Sequence, residues 1–397
     1  MPKHKQSDSQ YDVIIAGGAI IGSSCAWFLS RHPQFSGRIL VVEKDPSYQQ
    51  CSTTLSAASI RQQFSSAVNV SMSRYGFNFF KSIQTERKDE GGIGLVEGGY
   101  LLLAGDQGAA HLRHNFELQK KEGADIGLFE PSELAQRFPW MSVEGVALGS
   151  LGLSGEGWFD AYSVLRYFKQ GAQANGVTFL KGEVAGLDVK GGLLRSVRLS
   201  DGSRYSCGNF VNACGTAAAA IAAMADIEVK IEPRKRCVFV IDCREAASLV
   251  DCPMVIDRSG VYFRPEGKYF ISGVSPPKDQ DPVCDDFNVD YALFDDIIWP
   301  ALAERVPVFE AIKVVNAWAG HYAYNVFDQN MILGPHPSVG NFFFANGFSG
   351  RGVQQSPAVG RAISEYIICG SSRSLDLSEL GFERIANNRP VIEESVY

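Results

Sequence analysis

The chain has 397 residues, 45% of them apolar, and a net charge of −7 at pH 7; the length suggests two domains with sizeable cores, and the acidic balance argues against a broad nucleic-acid footprint. Nine cysteines lie scattered without a CxxC, and six histidines show no HExxH or paired spacing, so buried reduced thiols are expected rather than disulfides or a metal centre. No apolar run reaches membrane-spanning length, and the leading MPKHKQSDSQ has neither a signal-peptide core nor an arginine-rich transit pattern, so the expected location is cytoplasmic, ahead of the mitochondrial matrix.

In chain order, Tyr11 to Ser24 reads YDVIIAGGAIIGSS. A run of apolar β-formers meets a glycine turn, the turn opens a helix, and a second apolar strand, Ile39 to Val42, ends in Glu43. This is the βαβ dinucleotide fingerprint, with an acid about 20 positions past the last glycine. Gly17 and Gly22 hold its first and third glycine positions, while Ala19 stands at the second and is expected to press its methyl where backbone meets pyrophosphate. The helix N-terminus at Ile20 and Ile21 offers N–H groups and partial positive charge to a phosphate. Glu43, followed by Lys44, can accept bonds from a ribose hydroxyl.

A Ser/Thr-rich stretch, Cys51 to Ser59, then leads into Ile60-Arg61-Gln62-Gln63-Phe64. A helix is expected over 67–83, a strand pair or bulged strand over 95–103, and charged, helix-like sequence over 107–137 with a helix start at Pro131-Ser132-Glu133. A helix at 161–175 and a strand at 177–180 precede a β-meander through 184–187, 193–199 and 205–207. Asn209 to Gly215 (NFVNACG) reads as a strand entering a glycine turn, followed by an alanine-rich helix, Ala217 to Met224. Strands at 236–241, 261–263 and 269–272 suggest a mixed sheet rather than βαβ units. The strand Phe342 to Asn346 enters the turn Gly347 to Gly352 (GFSGRG), and Pro357 is expected near the first turn of a closing helix to Ile368. The expected nucleotide domain is discontinuous, 10–85, 145–225 and 330–397, with the other domain in two pieces, 86–144 and 226–329.

Three strand-to-glycine turns, at 15–22, 212–215 and 346–352, are more than one NAD needs; an extended cofactor such as FAD needs backbone at its adenine end, its pyrophosphate and its flavin ring. Further distinctive stretches are SIRQQFS (Ser59 to Ser65), FPWMSVEGVAL (Phe138 to Leu148), GEGWFD (Gly155 to Asp160) and EPRKR (Glu232 to Arg236). YFRPEG (Tyr262 to Gly267), WAGHYAYNVFDQN (Trp318 to Asn330) and GFSGRGVQQSPAVGR (Gly347 to Arg361) follow. On these motifs, spread from end to end, the chain resembles the D-amino-acid oxidase/sarcosine oxidase superfamily of FAD-dependent oxidoreductases. Within it the likeness is nearest to a branch with mitochondrial and bacterial members tied to complex I assembly.

The resemblance implies an α/β fold: a Rossmann-like FAD-binding domain with an inserted α+β substrate domain built on a mixed antiparallel sheet. It implies noncovalent FAD contacted at Gly17, Ala19, Ile20, Ile21, Gly22, Glu43 and Lys44, at Ser52, Thr53, Ser59, Ile60 and Arg61, and at Val184, Ala213 and Gly215. Around the flavin it implies Gly347, Ser349, Gly350, Arg351, Gly352, Val353 and Gln354. Dipoles of that last turn are expected to stabilise negative charge on the reduced ring. On the substrate side, Arg61 is expected to hold a carboxylate bidentately, with Arg264, Arg351, Gln354 and Tyr322 assisting. Relatives usually carry histidine where Arg351 stands, and sarcosine oxidases carry lysine where Gln354 stands, which argues against a simple N-methylglycine oxidase. Ser56 and His321 fall where some relatives attach flavin covalently, through histidine and cysteine respectively. Trp158, Tyr262, Trp318, Tyr322 and Tyr324 are candidates to line an apolar pocket.

The implied activity is oxidation of the C–N bond of an amino acid or secondary amine by hydride transfer to flavin N5, giving an imine that hydrolyses. The expected partners are that small substrate and, as acceptor, oxygen, a quinone or an electron-transfer protein, with no nucleic acid and no transmembrane segment. The same branch suggests the alternative of a flavin-binding assembly protein with little turnover.

Overall fold

Parallel strands buried on both faces read as unbroken apolar runs, and the opening strand Gln10–Ala16 follows this rule, with Val13, Ile14, Ile15 and Ala16 wholly buried. The computed structural model describes residues 10–249 and 251–394, which form two compact units. The first contains residues up to Thr54, Ala161–Pro233 and Tyr322–Val391. The second contains Leu55–Asp160, Arg234–His321 and the residues from Ile392 on.

In the first unit, Gln10–Ala16 pairs in parallel with Ile39–Glu43 on one side and Arg204–Asn212 on the other. Thr178–Lys181 and Phe342–Asn346 extend the parallel sheet at its two flanks, and Ile332–Pro335 closes one edge antiparallel. The hairpin strands Val184–Lys190 and Leu193–Leu199 run antiparallel off Arg204–Asn212. Ile15 faces the helix Ile20–Ser30, since a Cβ on Gly22 would lie 3.2 Å from its Cγ2. Ile14 and Ala16 therefore point the other way, into a cluster with Leu40, Phe210, Phe342 and Phe344. Each wholly buried phenylalanine there contributes roughly 1.5–3 kcal/mol.

The helix Ile20–Ser30 packs against Ala161–Ala174, where Trp27 meets Phe168 edge-on at 5.9 Å, and against the closing helix Gly352–Cys369, where Ser24 Oγ donates to Ser356 O at 2.7 Å. Pro357 is the sixth residue of that closing helix, just past its first turn and near where it was expected. Proline has no N–H to give the carbonyl four residues back; Ser356 Oγ donates to that carbonyl, Val353 O, at 2.9 Å instead.

The second unit is built on an eight-stranded mixed sheet in the order Lys313–Asn325, Ile231–Asp242, Tyr269–Gly273, Tyr262–Glu266, Met254–Ile256, Tyr100–Ala104, Leu148–Gly152 and Ile126–Phe129. Met254–Ile256 pairs in parallel with Tyr100–Ala104, while Tyr262–Glu266 pairs antiparallel with both its neighbours. Phe263 and Phe270 each pack 5.2 Å from Phe309, joining the sheet to the helical stretch 291–311. Beside this core Arg305, wholly buried, donates through Nε to Asp257 at 2.7 Å.

The units differ from the expected domains. Residues 55–85 and 145–160, expected with the nucleotide domain, lie in the second unit; 226–233 and 322–329, expected with the other, lie in the first. The reason for the first shift is pairing: Ser59–Ile60 forms a ladder with Gly157–Trp158. The other cuts fall inside long strands, where composition does not change. Residues 107–137 are not one helical stretch; Gly123, with φ +77°, ends a helix at Lys121, and the strand Ile126–Phe129 intervenes before the helix Pro131–Arg137. Between 95 and 103 only Tyr100–Ala104 is a strand, with Val96 forming a lone bridge to Trp158. The expected strands 205–207 and 209–215 are one strand, Arg204–Asn212. Among the described residues no helix is long and apolar enough to cross a membrane.

Candidate functional site

The fingerprint turn of the first unit is fixed by two glycines. Gly17 has φ +93°, and a Cβ on it would fall 2.4 Å from Ala213 O; a Cβ on Gly22 would fall 1.8 Å from Gly17 O. Neither position tolerates a side chain. Ala19 differs, with φ −67° and ψ −165° at the N-cap of Ile20–Ser30, a backbone any L-residue adopts. Its methyl therefore sits without strain, and alanine, unlike serine or aspartate, places no capping oxygen on the first turn. The dipole and N–H groups of that turn stay directed at the glycine loop. Ile20 N–H donates to Thr53 Oγ1 at 3.3 Å, bringing the Ser/Thr stretch to the same place.

Glu43 does more than wait for a ribose. Its Oε2 accepts the Gly18 N–H at 2.7 Å and its Oε1 the Asp45 N–H at 2.8 Å, and each oxygen keeps a further acceptor direction. Beside it, Lys169 stacks over the Tyr48 ring at 4.6 Å; burial draws the lysine pKa down against the opposing charge of Glu43. Neither Lys169 nor Tyr48 was among the expected residues. Lys44 and Ser52 are exposed. The Val184 side chain lies in the apolar core, so only its backbone is open to a cofactor.

At the second turn Ala213 N–H donates to Ala16 O at 2.8 Å, and Gly215 has φ +55°. The third turn carries three left-handed residues, Gly347, Ser349 and Gly350. It is pinned to one strand end: Ser349 N–H donates to Ala323 O at 3.0 Å, and Asn325 N–H donates to Ser349 Oγ at 3.0 Å. Tyr322 seats its ring so close to Gly350 that a Cβ there would fall 2.5 Å from Tyr322 Cζ. Gly352 begins the closing helix, with Val353 and Gln354 buried in its first turn. Arg351, expected as a catalytic cation, is engaged otherwise: its Nη2 donates to Gln329 O and, at 2.8 Å, to Asn330 Oδ1. It tethers the glycine turn to the turn 325–330, which Asp328 and Arg384 hold from the other side at 2.7 Å. A glycine turn open to close approach, an uncapped helix start and a nearby carboxylate suit a diphosphate-bearing dinucleotide such as FAD.

In the second unit Arg61, Arg264, Ser59, Ile60 and Trp158 come together. Arg264 is 3% exposed and lies 5.3 Å over the Trp158 ring. Its Nη2 donates to Ala57 O at 2.7 Å, and its Nη1 to Pro265 O at 2.8 Å and to Glu266. It clamps the loop before Arg61 to the sheet. Arg61 is half-buried, 4.9 Å over the Phe64 ring. Facing it are Tyr100, whose phenol burial pushes far above its usual range, and Glu156. Burial raises the Glu156 carboxyl to about 7, although donors from Gln62 and Gln63 and the charge of Arg61 oppose this. Glu156 was not singled out from the sequence; its only signal was an acid set between glycines in GEGWFD.

Trp318 Nε1 donates to Leu55 O at 2.9 Å, and Tyr262 is half-buried on its strand. His321 has its Nε2 2.8 Å from Asp286 O and its ring edge-on to Phe287 at 4.5 Å. Ser56 Oγ accepts the Ala58 N–H at 3.0 Å. All nine cysteines are free, and burial pushes Cys25 and Cys252 up to about 12. Five of the nine are only half-buried, which corrects the expectation that all would be buried.

A family model described as DAO, FAD dependent oxidoreductase, matches residues 12–366. The chain is 38% identical to "FAD-dependent oxidoreductase domain-containing protein 1" of Xenopus laevis, over 97% of this chain and 84% of that protein. Among solved structures, L-proline dehydrogenase from P. horikoshii matches with a TM-score of 0.86 at 24% identity, over 97% of this chain and 100% of that one. Glycine oxidase from Geobacillus kaustophilus matches with a TM-score of 0.79 at 21% identity, over 94% and 98%. These two share the fold. Matched by the family model over most of its length, and 38% identical to a relative of which it covers 84%, the chain belongs to the DAO family of FAD-dependent oxidoreductases, and its cofactor is FAD.

Proposed function

We propose that this oxidoreductase oxidises the C–N bond of an amino acid or an N-alkyl amino acid, with the substrate carboxylate held by Arg61. The observation that carries this reading is the half-buried guanidinium of Arg61, fixed over Phe64 in a segment that Arg264 clamps from one side. A planar guanidinium binds a carboxylate through two parallel bonds and so fixes its orientation as well as its position. Two proteins of the same fold bear names that point to carboxylate-bearing amines, proline and glycine, which agrees with a cationic anchor. FAD, when bound, would supply the hydride acceptor for this oxidation.

The rest is work for the chain's own groups. Arg61 orients the substrate, so that the amine, neutral for reaction, presents its α-hydrogen in one direction; such positioning supplies much of the rate in reactions of this kind. The backbone dipoles of Gly347 to Gly352 stabilise negative charge that develops as the substrate is oxidised. Tyr322 and Gln354 border that turn and are proposed to shape the site, and Thr53, Glu43 and the turn at Gly17 to hold the cofactor's adenine and diphosphate end without a covalent link. His321 serves the contact with Asp286 and Phe287, not attachment of flavin.

The test is anaerobic bleaching of the FAD-loaded protein by a panel of D- and L-amino acids, N-methyl amino acids and simple amines. Bleaching by carboxylate-bearing amines, with KM raised strongly in Arg61→Ala while FAD stays bound, is the expected result. An unchanged KM in that variant overturns the anchor assignment, and a yellow protein that none of the panel bleaches supports a flavin-binding assembly role instead.

A further inference from the structure

Fully buried carboxylates are rare unless donors or a cation hold them. Glu156 has no solvent exposure, and both of its oxygens serve the segment that carries Arg61. Oε1 accepts the Gln62 backbone N–H at 2.6 Å, and Oε2 accepts Gln63 Nε2 at 2.9 Å. The link is returned: Gln62 Nε2 donates to Gly155 O at 2.7 Å, and Gln63 Nε2 also donates to Tyr100 O at 3.0 Å. Space around the carboxylate is closed, since a Cβ on Gly152 would fall 1.9 Å from Glu156 Oε2 and one on Gly155 would fall 1.8 Å from Gln62 Nε2. Residues 62 and 63 are therefore stitched to 155–156, and Arg61 is the next residue along.

We propose that Glu156 is a positioning residue for carboxylate recognition: it sets the place of Arg61 through the backbone of Gln62 and the amide of Gln63. The proposal rests on Arg61 being the carboxylate anchor. Glu156 does not touch the substrate, so its effect falls on binding and leaves the cleavage of the C–H bond alone.

The charge of Glu156 is part of the device. A hydrogen bond to an ionised carboxylate is roughly twice as strong as one between neutral groups, so a neutral side chain here loosens the stitch. The charged and titratable groups that act on Glu156 are Arg61 on the segment stitched to it and Tyr100 on a neighbouring strand; Gln62 and Gln63 are neutral. The Tyr100 phenol, pushed far up by burial, stays protonated throughout the neutral range. Proton uptake by Glu156, which burial places near 7, therefore loosens Arg61 as the solution turns acidic. The direction is diagnostic. Losing a negative charge beside Arg61 would by simple Coulomb attraction strengthen anion binding, whereas losing the positioning weakens it.

The experiment is calorimetric binding of acetate, and of acetamide as its neutral counterpart, to the FAD-loaded protein. Glu156→Gln is expected to weaken acetate binding by about tenfold, the equivalent of one charge-assisted bond, with FAD occupancy and the feeble acetamide response unchanged. In the unmodified protein, acetate affinity is expected to fall between about pH 8 and about pH 6, where acetate itself stays ionised, and to be flat in Glu156→Gln. Unchanged or tighter acetate binding in that variant overturns the proposal. Should the variant not fold, a pH-independent acetate affinity in the unmodified protein overturns it equally. Arg61→Ala separates the two readings: loss of acetate binding there but not in Glu156→Gln defeats only the positioning role, and retention of acetate binding in Arg61→Ala defeats the anchor and the positioning role together.

Discussion

Replacing Gly17 by alanine probes the cofactor turn at its tightest point. The new Cβ would lie 2.4 Å from Ala213 O, 2.8 Å from Ala213 C and 3.1 Å from Cys214 Cα. All three are backbone atoms, so no side chain can swing aside. The left-handed φ of +93° adds ~1–2 kcal/mol for a residue with a Cβ, and pushing packed backbone apart costs ~1–3 kcal/mol more. The sum, ~2–5 kcal/mol, falls on FAD affinity if the loop yields and on folding if it does not; the lower figure already equals roughly 30-fold in a dissociation constant. Ala19→Gly is the matched control. At φ −67° the change relieves no clash, and its effect should stay within about 0.5 kcal/mol. The assay is titration of cofactor-free protein with FAD, followed by quenching of protein fluorescence, alongside thermal melts of the free and loaded forms. Gly17→Ala protein that binds FAD within twofold of the unmodified protein and melts with it would refute the reasoning. So would an Ala19→Gly change that tightens FAD tenfold, since the methyl would then be pressing on the pyrophosphate after all.

Two further outcomes follow from arginines that tie segments together. Arg305→Ala strands Asp257 in the core and should cost ~3–5 kcal/mol at neutral pH, measured by urea unfolding. Burial drives Asp257 up, but the hydrogen bond from Ser259 and the charge of Arg305 outweigh it, so the net shift is downward. A lowered carboxyl contributes stability above its unfolded pKa and loses it as pH falls through the folded value, so the gap between variant and unmodified protein should close below about pH 4; a gap that widens there contradicts the pairing. Arg351→Met removes the bonds to Gln329 and Asn330 and should lower stability by ~2 kcal/mol with little change in flavin potential. A fall in potential of about 30 mV or more, the equivalent of tenfold for two electrons, with an unchanged melting temperature, would make Arg351 an electrostatic partner of the flavin instead of a tether.

How much was legible depended on how local the cause was. The strand, turn and helix of Gln10–Ser30 are readable because the glycines at 17 and 22 meet atoms only five residues apart or at one neighbouring turn. The closing strand and glycine turn at 342–352 are readable for the same reason. Ser59 and Ile60 could not be assigned to their unit from the sequence, because their placement comes from a two-residue ladder with Gly157–Trp158, almost a hundred positions away. Glu156 was equally hidden, since an acid between glycines reads as a surface turn until its partners at 62 and 63 are in place. Pro357 marks the start of the closing helix to within a turn, but nothing local announces that Ser356 will satisfy the carbonyl that proline leaves behind.

The arginines show why residue type alone could not settle the site. From the sequence Arg61 is the expected anchor, with Arg264 and Arg351 as assisting cations, each in a distinctive motif. Their surroundings separate them. Arg264 is almost wholly buried and spends both terminal nitrogens on Ala57 O, Pro265 O and Glu266, which is what a loop clamp requires. Arg351 donates through Nη2 to Gln329 O and Asn330 Oδ1 in the turn 329–330, which is what a tether requires. Arg61 is half-buried, lies 4.9 Å over the Phe64 ring, and belongs to a segment whose next two residues are held by a buried carboxylate. A carboxylate anchor must be fixed in place yet reach solvent; Arg264 is too deeply buried for that, and Arg351 turns its guanidinium to the loop at 329–330. If Arg264→Lys and Arg351→Lys each raised the KM for a carboxylate substrate as much as Arg61→Lys did, burial and bonding would have ranked them wrongly.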